Sequence, residues 1–251
     1  MPLENVIVVL HKLRFPENAG MAARACANMG IQQIRLSAPR NWECLKAWPV
    51  ATSVGQPLLN NITVYESLLA AISDCHSVYG TSARTGGWRK KAQNPVQGCA
   101  KIKLKLNEGE KVALLFGPED RGLSNDEIAL CSGIIHIETA RDASSLNIAQ
   151  AVLLVLYELR RKQGKNAAPD MPPSIRMAEL QLLESKLKNA LASLHCLEGA
   201  NPDYAFGQWH DMLSRARLRH NEYAALMGLC RQVENFVKIN EKLTKNKNFH
   251  K

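Results

Sequence analysis

Residues 112–124 read VALLFGPEDRGLS, and this stretch indicates how the first two thirds of the chain fold. Its first five residues are apolar and rich in aliphatic side chains, which is typical of a buried strand. Gly117-Pro118 ends the strand, and a turn with three charged residues follows. The spacing of Ser124 and Glu127 is that of a capping box, which predicts a helix over Ser124–Leu130. A buried strand that leads directly into a helix favours a parallel α/β sheet.

The other segments before residue 163 alternate between strand and helix in the same way. We predict strands where β-branched and aliphatic residues run together, and helices where apolar residues recur at helical spacing. The further predicted strands are Val6–Leu10, Ile31–Leu36, Ser77–Tyr79 and Ile134–Ile137. The further predicted helices are Ala19–Met29, with Asn18 as its N-cap, Glu66–Ser73 and Asn147–Lys162. The fold class is therefore predicted as α/β, with a parallel sheet flanked by helices.

A linker divides the chain into two predicted domains. Residues 163–173 contain one glycine and three prolines, and no strand pattern follows them. The helices predicted beyond the linker are Ser174–His195, Tyr204–Arg219 and Glu222–Leu243. We predict an α/β domain over residues 1–162, a small all-helical domain over 174–243, and a basic, disordered tail over 244–251.

Positive charge is concentrated near the C-terminus. The formal net charge is +9, and the residues from Arg160 onward contain 16 Lys and Arg against 9 Asp and Glu. Such an excess favours a polyanionic partner such as nucleic acid. The alternative is a solvated helical surface without a partner.

The cysteines and the apolar segments indicate a protein of a reducing compartment. None of the seven cysteines forms a Cys-x-x-Cys pair, so neither a disulfide framework nor a zinc site is expected. No apolar run reaches the about 18 residues of a membrane span, and Met1–Leu10 lacks the pattern of a signal peptide. We therefore expect a cytoplasmic protein without membrane contact.

Four polar segments are candidates for a functional site because each follows a strand or begins a helix. They are Pro16–Arg24, Gly80–Arg84, Leu115–Ser124 and Asp142–Ala149. In the first segment, we expect Gly20 to leave space one helical turn before Arg24. Each segment also has a simpler interpretation as a helix cap, a solvent-facing charge or an ordinary loop. The chain has no G-x-G-x-x-G, Walker A or G-x-S-x-G motif and no metal-ligand cluster, which disfavours nicotinamide enzymes, NTPases and serine hydrolases.

Taken in order, these segments resemble the motifs of the TrmH-like branch of the SPOUT superfamily of RNA methyltransferases. The first motif is matched by Asn18 with Arg24, and the third by Ser145-Leu146-Asn147. The second is matched by Phe116–Glu119 with Arg121-Gly122-Leu123. The turn Thr81–Arg84 and the helical extension that includes Met212–Arg217 are similar to the TrmJ type, which methylates a ribose in the tRNA anticodon loop.

The resemblance implies a trefoil-knotted sheet, a homodimer with active sites near its interface, and S-adenosyl-L-methionine as cofactor. The implied cofactor-binding residues are Thr81, Ser82, Ala83, Gly117, Ile137, Ser144, Ser145 and Leu146. The implied catalytic residues are Arg24, Asn18, Glu119, Ser145 and Asn147. A guanidinium stays protonated at neutral pH, so Arg24 is expected to stabilise the ribose oxygen as it loses its proton.

RNA is the expected partner, with tRNA ahead of rRNA. The residues expected to hold it are Arg84, Arg121, Arg215, Arg217, Arg219 and Arg231. The helical domain either binds RNA in this way or supports the dimer. The alternatives to tRNA ribose methylation are rRNA 2′-O-methylation, methylation of a base, and RNA binding without catalysis. The resemblance leaves open the nucleotide and any metal requirement.

Overall fold

The computed structural model describes residues 2–83, 92–140, 142, 145–161, 173–194, 196–197 and 202–248. The chain divides into two compact units, Met1–Pro173 and Ser174–Lys251. Within the described residues, no helix combines the length and the apolar composition needed to cross a membrane.

A seven-stranded parallel sheet forms the centre of the first unit. Its strands are β1 Val6–His11, β2 Gln33–Ser37, β3 Thr63–Tyr65, β4 Ser77–Thr81, β5 Ala92–Gln93, β6 Val112–Phe116 and β7 Gly133–Ile135. The strand order is β3-β2-β1-β6-β4-β7-β5, and each strand pairs in parallel with its neighbours. Every residue of β1 and β6 is buried, as expected for central strands that helices cover on both faces. The predicted parallel α/β fold is therefore confirmed.

Within the described part of the first unit, six α-helices accompany the sheet. They are α1 Pro16–Met29, α2 Cys44–Asn60, α3 Leu68–Ile72, α4 Pro95–Asn107, α5 Asn125–Ala129 and α6 Ile148–Arg160. The predicted capping box is present at α5, where Glu127 N donates to Ser124 Oγ and Ser124 N donates to Glu127 Oε2. The helices predicted from apolar spacing match α1, α3, α5 and α6 within a few residues at each end.

The start of α1 was predicted wrongly. The helix begins at Pro16 with Phe15 as its N-cap, and Asn18 lies buried inside the first turn. Proline favours the first helical position because its fixed φ suits the helix and its missing N–H has no helical partner there. Asn18 therefore has a side chain free to bond elsewhere.

Two helices were not predicted from the sequence. Helix α2 contains Pro49 and Pro57 and has a kink at Thr52, whose φ of 56° interrupts the helical backbone. Internal prolines usually end a helix, which is why this segment does not read as one. Helix α4 begins with Pro95 after an Asn94 N-cap, whose Oδ1 accepts from Gln97 N at 2.9 Å. The short strands β3 and β5 were also missed.

The second unit contains α7 Met177–Ser193, α8 Pro202–Ala216 and α9 His220–Asn248. Apolar residues of these helices are buried, among them Leu183, Leu213 and Cys230. The side chain of Lys186 on α7 forms an ion pair with Glu234 on α9 at 3.1 Å. Helix α9 extends to Asn248, so residues 244–248 are helical where the sequence predicted a disordered tail. The rest of the predicted tail, residues 249–251, lies outside the described residues. No glycine or proline interrupts residues 244–248, and the helix simply continues.

Candidate active site

The candidate site lies where the carboxyl ends of β4, β6 and β7 meet. These three strands are neighbours in the sheet, so the loops that follow them surround one space. A cavity of about 300 Å³ opens there. Open α/β sheets commonly bind ligands at this edge.

The loop after β6 folds back tightly over the end of the strand. Gly122 N donates to Pro118 O at 2.9 Å, and Gly122 has a φ of 66°, in the left-handed region that glycine tolerates best. A Cβ on Gly117 would lie 2.6 Å from Leu123 N, so only glycine fits at that position. The two glycines therefore give this loop its shape.

The loop after β4 is held against β7. Ser82 N donates to Ile135 O at 3.1 Å, and Thr81 Oγ1 donates to Leu115 O at 3.5 Å. These bonds fix Thr81 and Ser82, which together with Ala83 form one wall of the cavity.

Seven of the eight predicted cofactor-binding residues line this cavity. They are Thr81, Ser82, Ala83, Gly117, Ile137, Ser145 and Leu146. The eighth, Ser144, lies outside the described residues. Residues 117–123, which include Glu119 and Arg121, also line the cavity. The second and third motifs and the Thr81–Ala83 turn thus come together around one space, although they are far apart along the chain.

Three of the predicted catalytic residues form a hydrogen-bonded chain. Asn18 Nδ2 donates to Glu119 Oε1 at 2.7 Å, and Asn147 Nδ2 donates to Asn18 Oδ1 at 2.9 Å. Asn147 is also the N-cap of α6, where its Oδ1 accepts from Ala149 N. The chain Glu119–Asn18–Asn147, with Asn18 in the middle, therefore joins the loop after β6, the start of α1 and the start of α6.

A second, more open cavity lies on the other side of Glu119. Its lining residues are Phe15, Glu17, Asn18, Glu119, Ser145, Leu146 and Asn147. Glu119, Ser145 and Leu146 line both cavities. The two spaces therefore share a wall, which suits a reaction between two bound molecules.

Arg24 lines neither cavity. Its side chain is exposed on α1 and makes no hydrogen bond or ion pair with the described residues. Gly20 does not leave space for it, contrary to the expectation. A Cβ on Gly20 would overlap the carbonyl oxygen of Ala47, and a Cβ on Gly55 would lie 2.7 Å from Arg24 N. Both glycines instead allow α1 and α2 to pack backbone against backbone.

The residues predicted to hold RNA differ in exposure. Arg121, Arg215 and Arg231 are exposed, whereas Arg217 and Arg219 are half-buried. Arg84 lies outside the described residues.

Sequence reasoning missed a polar cluster behind the loop after β6. His11, at the end of β1, is buried, with Nδ1 2.7 Å from Ser37 Oγ and Nε2 2.8 Å from Glu127 Oε1. Lys12 Nζ donates to Glu127 Oε1 at 2.6 Å. In the sequence, the one sign of this cluster is His11, a polar residue that ends an otherwise apolar strand.

The charges of this cluster depend on burial and on hydrogen bonds. Burial lowers the pKa of His11, and its contact with Glu127 only partly opposes this effect. Burial alone would raise the pKa of Glu127. Hydrogen bonds from Lys12, the Ser124 backbone and His11 outweigh burial and lower the pKa of Glu127 to about 2. A neutral His11 can then donate to the Glu127 carboxylate and accept from Ser37, which ties β1 and β2 to the cap of α5.

Known proteins resemble this chain in sequence and in fold. Residues 5–157 match the SpoU rRNA Methylase family. The tRNA (cytidine/uridine/adenosine-2′-O-)-methyltransferase TrmJ of Pseudomonas aeruginosa is 31% identical over 246 residues, which cover 92% of this chain and 95% of that protein.

Solved structures agree with this match. The crystal structure of TrmJ from Z. mobilis superposes with a TM-score of 0.80 at 31% identity, covering 91% of this chain and 98% of that one. A probable methylase family protein from Haemophilus influenzae gives a TM-score of 0.58 at 28% identity, covering 95% and 99%. The match to the family spans more than half of the chain and includes all three motifs of the site. This chain belongs to the SpoU rRNA Methylase family.

Proposed function

We propose that the protein transfers a methyl group from S-adenosylmethionine to a ribose 2′-hydroxyl of RNA. The observation that carries this proposal is the wall of Glu119, Ser145 and Leu146 between two cavities. Methyl transfer needs donor and acceptor held in line at short distance, and two spaces that share a wall can hold them so.

The cavity at the ends of β4, β6 and β7 fits the cofactor in size and in chemistry. Its volume of about 300 Å³ is at the lower end of small-molecule sites. Apolar Leu123, Ile135 and Ile137 can cover an adenine ring, while Thr81 and Ser82 offer polar groups. The carboxylate of Glu119 lies in the wall and complements a positively charged sulfonium. When bound, S-adenosylmethionine supplies an activated methyl group.

The residues of the hydrogen-bonded chain would position the acceptor. Asn18 and Asn147 are each fixed by their bonds to neighbours, so neither has to be ordered when RNA binds. Ser145 adds a hydroxyl at the shared wall. These groups would orient the ribose, while Arg24 would stabilise the negative charge that develops on its 2′-oxygen.

We further propose a homodimer that brings Arg24 to a complete site. Leu153, Leu154 and Tyr157 form an exposed apolar stripe on α6, and Met21 is exposed on α1. An exposed apolar stripe of this kind is typical of an interface. Because Arg24 follows Met21 by one helical turn and lines neither cavity of its own chain, it is available to complete the site of a second copy. The knotted path of the chain stays a prediction.

The RNA is proposed to be a tRNA, held in part by the second unit. The relative from P. aeruginosa matches 92% of this chain, and its name specifies a tRNA substrate. The exposed Arg215 and Arg231 can contact phosphates. The family description names rRNA, so rRNA is the second candidate. A cytoplasmic location agrees with the seven free cysteines.

The test is methylation of purified tRNA and rRNA with methyl-labelled S-adenosylmethionine, followed by nucleoside mass spectrometry. The expected product is a single 2′-O-methylated nucleoside from tRNA. A methyl group on a base would favour base methylation, and a product from rRNA alone would favour the second candidate. Binding of cofactor and RNA without any product would support an RNA-binding protein that lacks catalysis. Calorimetric titration with NAD serves as the cofactor control, and binding of NAD alone would contradict the proposal.

A further inference from the structure

The open cavity beside Glu119 has an aromatic residue at its edge that the catalytic scheme does not use. Phe15 lines this cavity and is 48% exposed, in the segment that joins β1 to α1. An aromatic ring that is exposed at the edge of a cavity offers a face on which a nucleic-acid base can stack. Phe15 is held in place because it is the N-cap of α1 and its carbonyl accepts from Asn18 N at 3.0 Å.

A cation accompanies this ring. Arg14 Cζ lies 5.1 Å from the centroid of the Phe15 ring, which is within the range of a cation–π contact. Its backbone N donates to Glu119 Oε2 at 3.1 Å, which ties it to the shared wall. The guanidinium makes no hydrogen bond or ion pair with the residues that the structure describes. It is therefore available to an anion from outside.

The charges around the cavity indicate where the phosphate and where the ribose or base of a nucleotide can bind. The charged side chains that line the cavity are Glu17 and Glu119, and both are acidic. Two carboxylates disfavour a phosphate inside the cavity, whereas they can accept hydrogen bonds from ribose hydroxyls or base amino groups. Arg14 does not line the cavity and can attract the phosphate at its edge.

We propose that Phe15 and Arg14 form a subsite for the nucleotide that is methylated. This inference rests on the proposed function. The base stacks on the Phe15 ring, the ribose lies at the shared wall near Asn18, and the phosphate contacts Arg14. Stacking on an aromatic ring accepts any base because every base has a π-face. Stacking in this subsite thus holds the nucleotide but does not discriminate between bases. Discrimination between bases depends on other groups of the protein.

The test combines a protein change with an RNA change. The full-length protein is given its RNA substrate and the same RNA with an abasic ribose at the methylated position, which keeps the 2′-hydroxyl. For the wild type, loss of the base should lower kcat/KM by about tenfold to hundredfold, the range of one stacking interaction. Phe15→Ala should cause a similar loss on the normal RNA and no further loss on the abasic RNA. Phe15→Trp should retain the wild-type pattern.

Controls separate stacking from folding and assembly. Phe236→Ala removes a phenyl ring of similar exposure from α9 and should leave the ratio between the two RNAs unchanged. Cofactor affinity, melting temperature and sedimentation should not change in Phe15→Ala.

An equal loss on both RNAs, or a change of oligomeric state, would overturn the subsite and make Phe15 a structural or interface residue. If the wild type is active and Phe15→Ala is fully active, only this inference fails. A wild type that transfers no methyl group overturns the proposed function as well.

Discussion

The carboxyl edge of the sheet and the surface of the helical unit use polar residues in opposite ways. At the sheet edge, Asn18 bonds to both Glu119 and Asn147, and His11 with Glu127 forms a second network. In the helical unit, Arg215 and Arg231 are exposed. The first arrangement depends on geometry within tenths of an ångström. The second depends on charge, which acts over several ångströms and tolerates displacement.

We therefore expect substitutions in the two regions to change different measured properties of the protein. Substitutions at the sheet edge should change turnover or folding, because partners there have fixed positions. Substitutions on the helical surface should change RNA affinity and its dependence on salt. The following experiments can contradict or refine that division, beginning with the largest expected effect.

Arg24 tests whether an exposed residue of the first unit contributes to chemistry. Arg24→Ala should lower the rate of single-turnover methyl transfer by about a hundredfold to a thousandfold, the scale of losing one donor to a developing oxyanion. Cofactor affinity should hardly change, since the lost contact forms mainly in the transition state. Arg24→Lys should rescue only part of the rate because Lys lacks the planar fork. A normal rate in a folded Arg24→Ala protein would remove Arg24 from the mechanism.

Gly20 and Gly207 form a matched pair that compares packing in the two units. A Cβ on Gly20 would overlap α2 backbone, so Gly20→Ala should destabilise the protein by about 1–3 kcal/mol. Gly207 lies in α8 with nothing within 4 Å of an added Cβ, so Gly207→Ala should stabilise that helix by about 0.5–1 kcal/mol. Chemical denaturation with a probe in each unit measures both. Equal changes in the free energy of unfolding for Gly20→Ala and Gly207→Ala would contradict the difference in packing between the two units.

Charge removal tests the second unit. Arg215→Gln combined with Arg231→Gln should weaken RNA binding about tenfold at moderate salt, and the slope of log K against log salt should become shallower by about 1–2. The rate at saturating RNA should not change. Fluorescence anisotropy over a salt series measures the slope, and Lys46→Gln in α2 serves as the charge control. An unchanged slope would mean that these arginines do not contact phosphates.

The buried polar cluster predicts the smallest effect, on the pH dependence of stability. The pKa of Glu127 is lowered to about 2 from the usual 4.5, so its contribution is present above pH 4.5 and is lost as the pH falls toward 2. The pKa of His11 is lowered from 6.5, so its protonation also begins to favour the unfolded chain as the pH falls below 6.5. Because of both groups, the free energy of unfolding should therefore decrease as the pH falls.

Melting temperature measured from pH 7 to pH 3 tests this prediction. Glu127→Gln should melt at a lower temperature at pH 7 and show a flatter decline below pH 4.5. Asp126→Asn, an exposed neighbour in α5, should follow the wild type. Identical pH profiles for wild type and Glu127→Gln would show that the cluster does not couple to folding.

Local sequence patterns predicted much of the sheet and the location of the site. Val112–Phe116 was predicted with the bounds that the structure shows, and the capping box at Ser124 was correct. Both are local features, read from neighbouring residues. Helix α2 was missed because its prolines and its kink at Thr52 conceal the helical pattern, and the packing of Gly20 and Gly55 against it could not be foreseen.

The sequence by itself determined which loops line the candidate site. Strands followed by helices run parallel, so the segments that end them come to one edge of the sheet, whatever the strand order. Only the tertiary structure decided that β6 lies between β1 and β4, and that Asn18 meets Glu119 and Asn147 across more than 100 residues of chain. Likewise, it decided that Arg24 faces solvent and that His11 bonds to Glu127. Local propensity acts over a few residues. These contacts depend instead on how whole helices and strands pack, and a pattern of neighbouring side chains does not encode contacts between residues that are far apart in the chain.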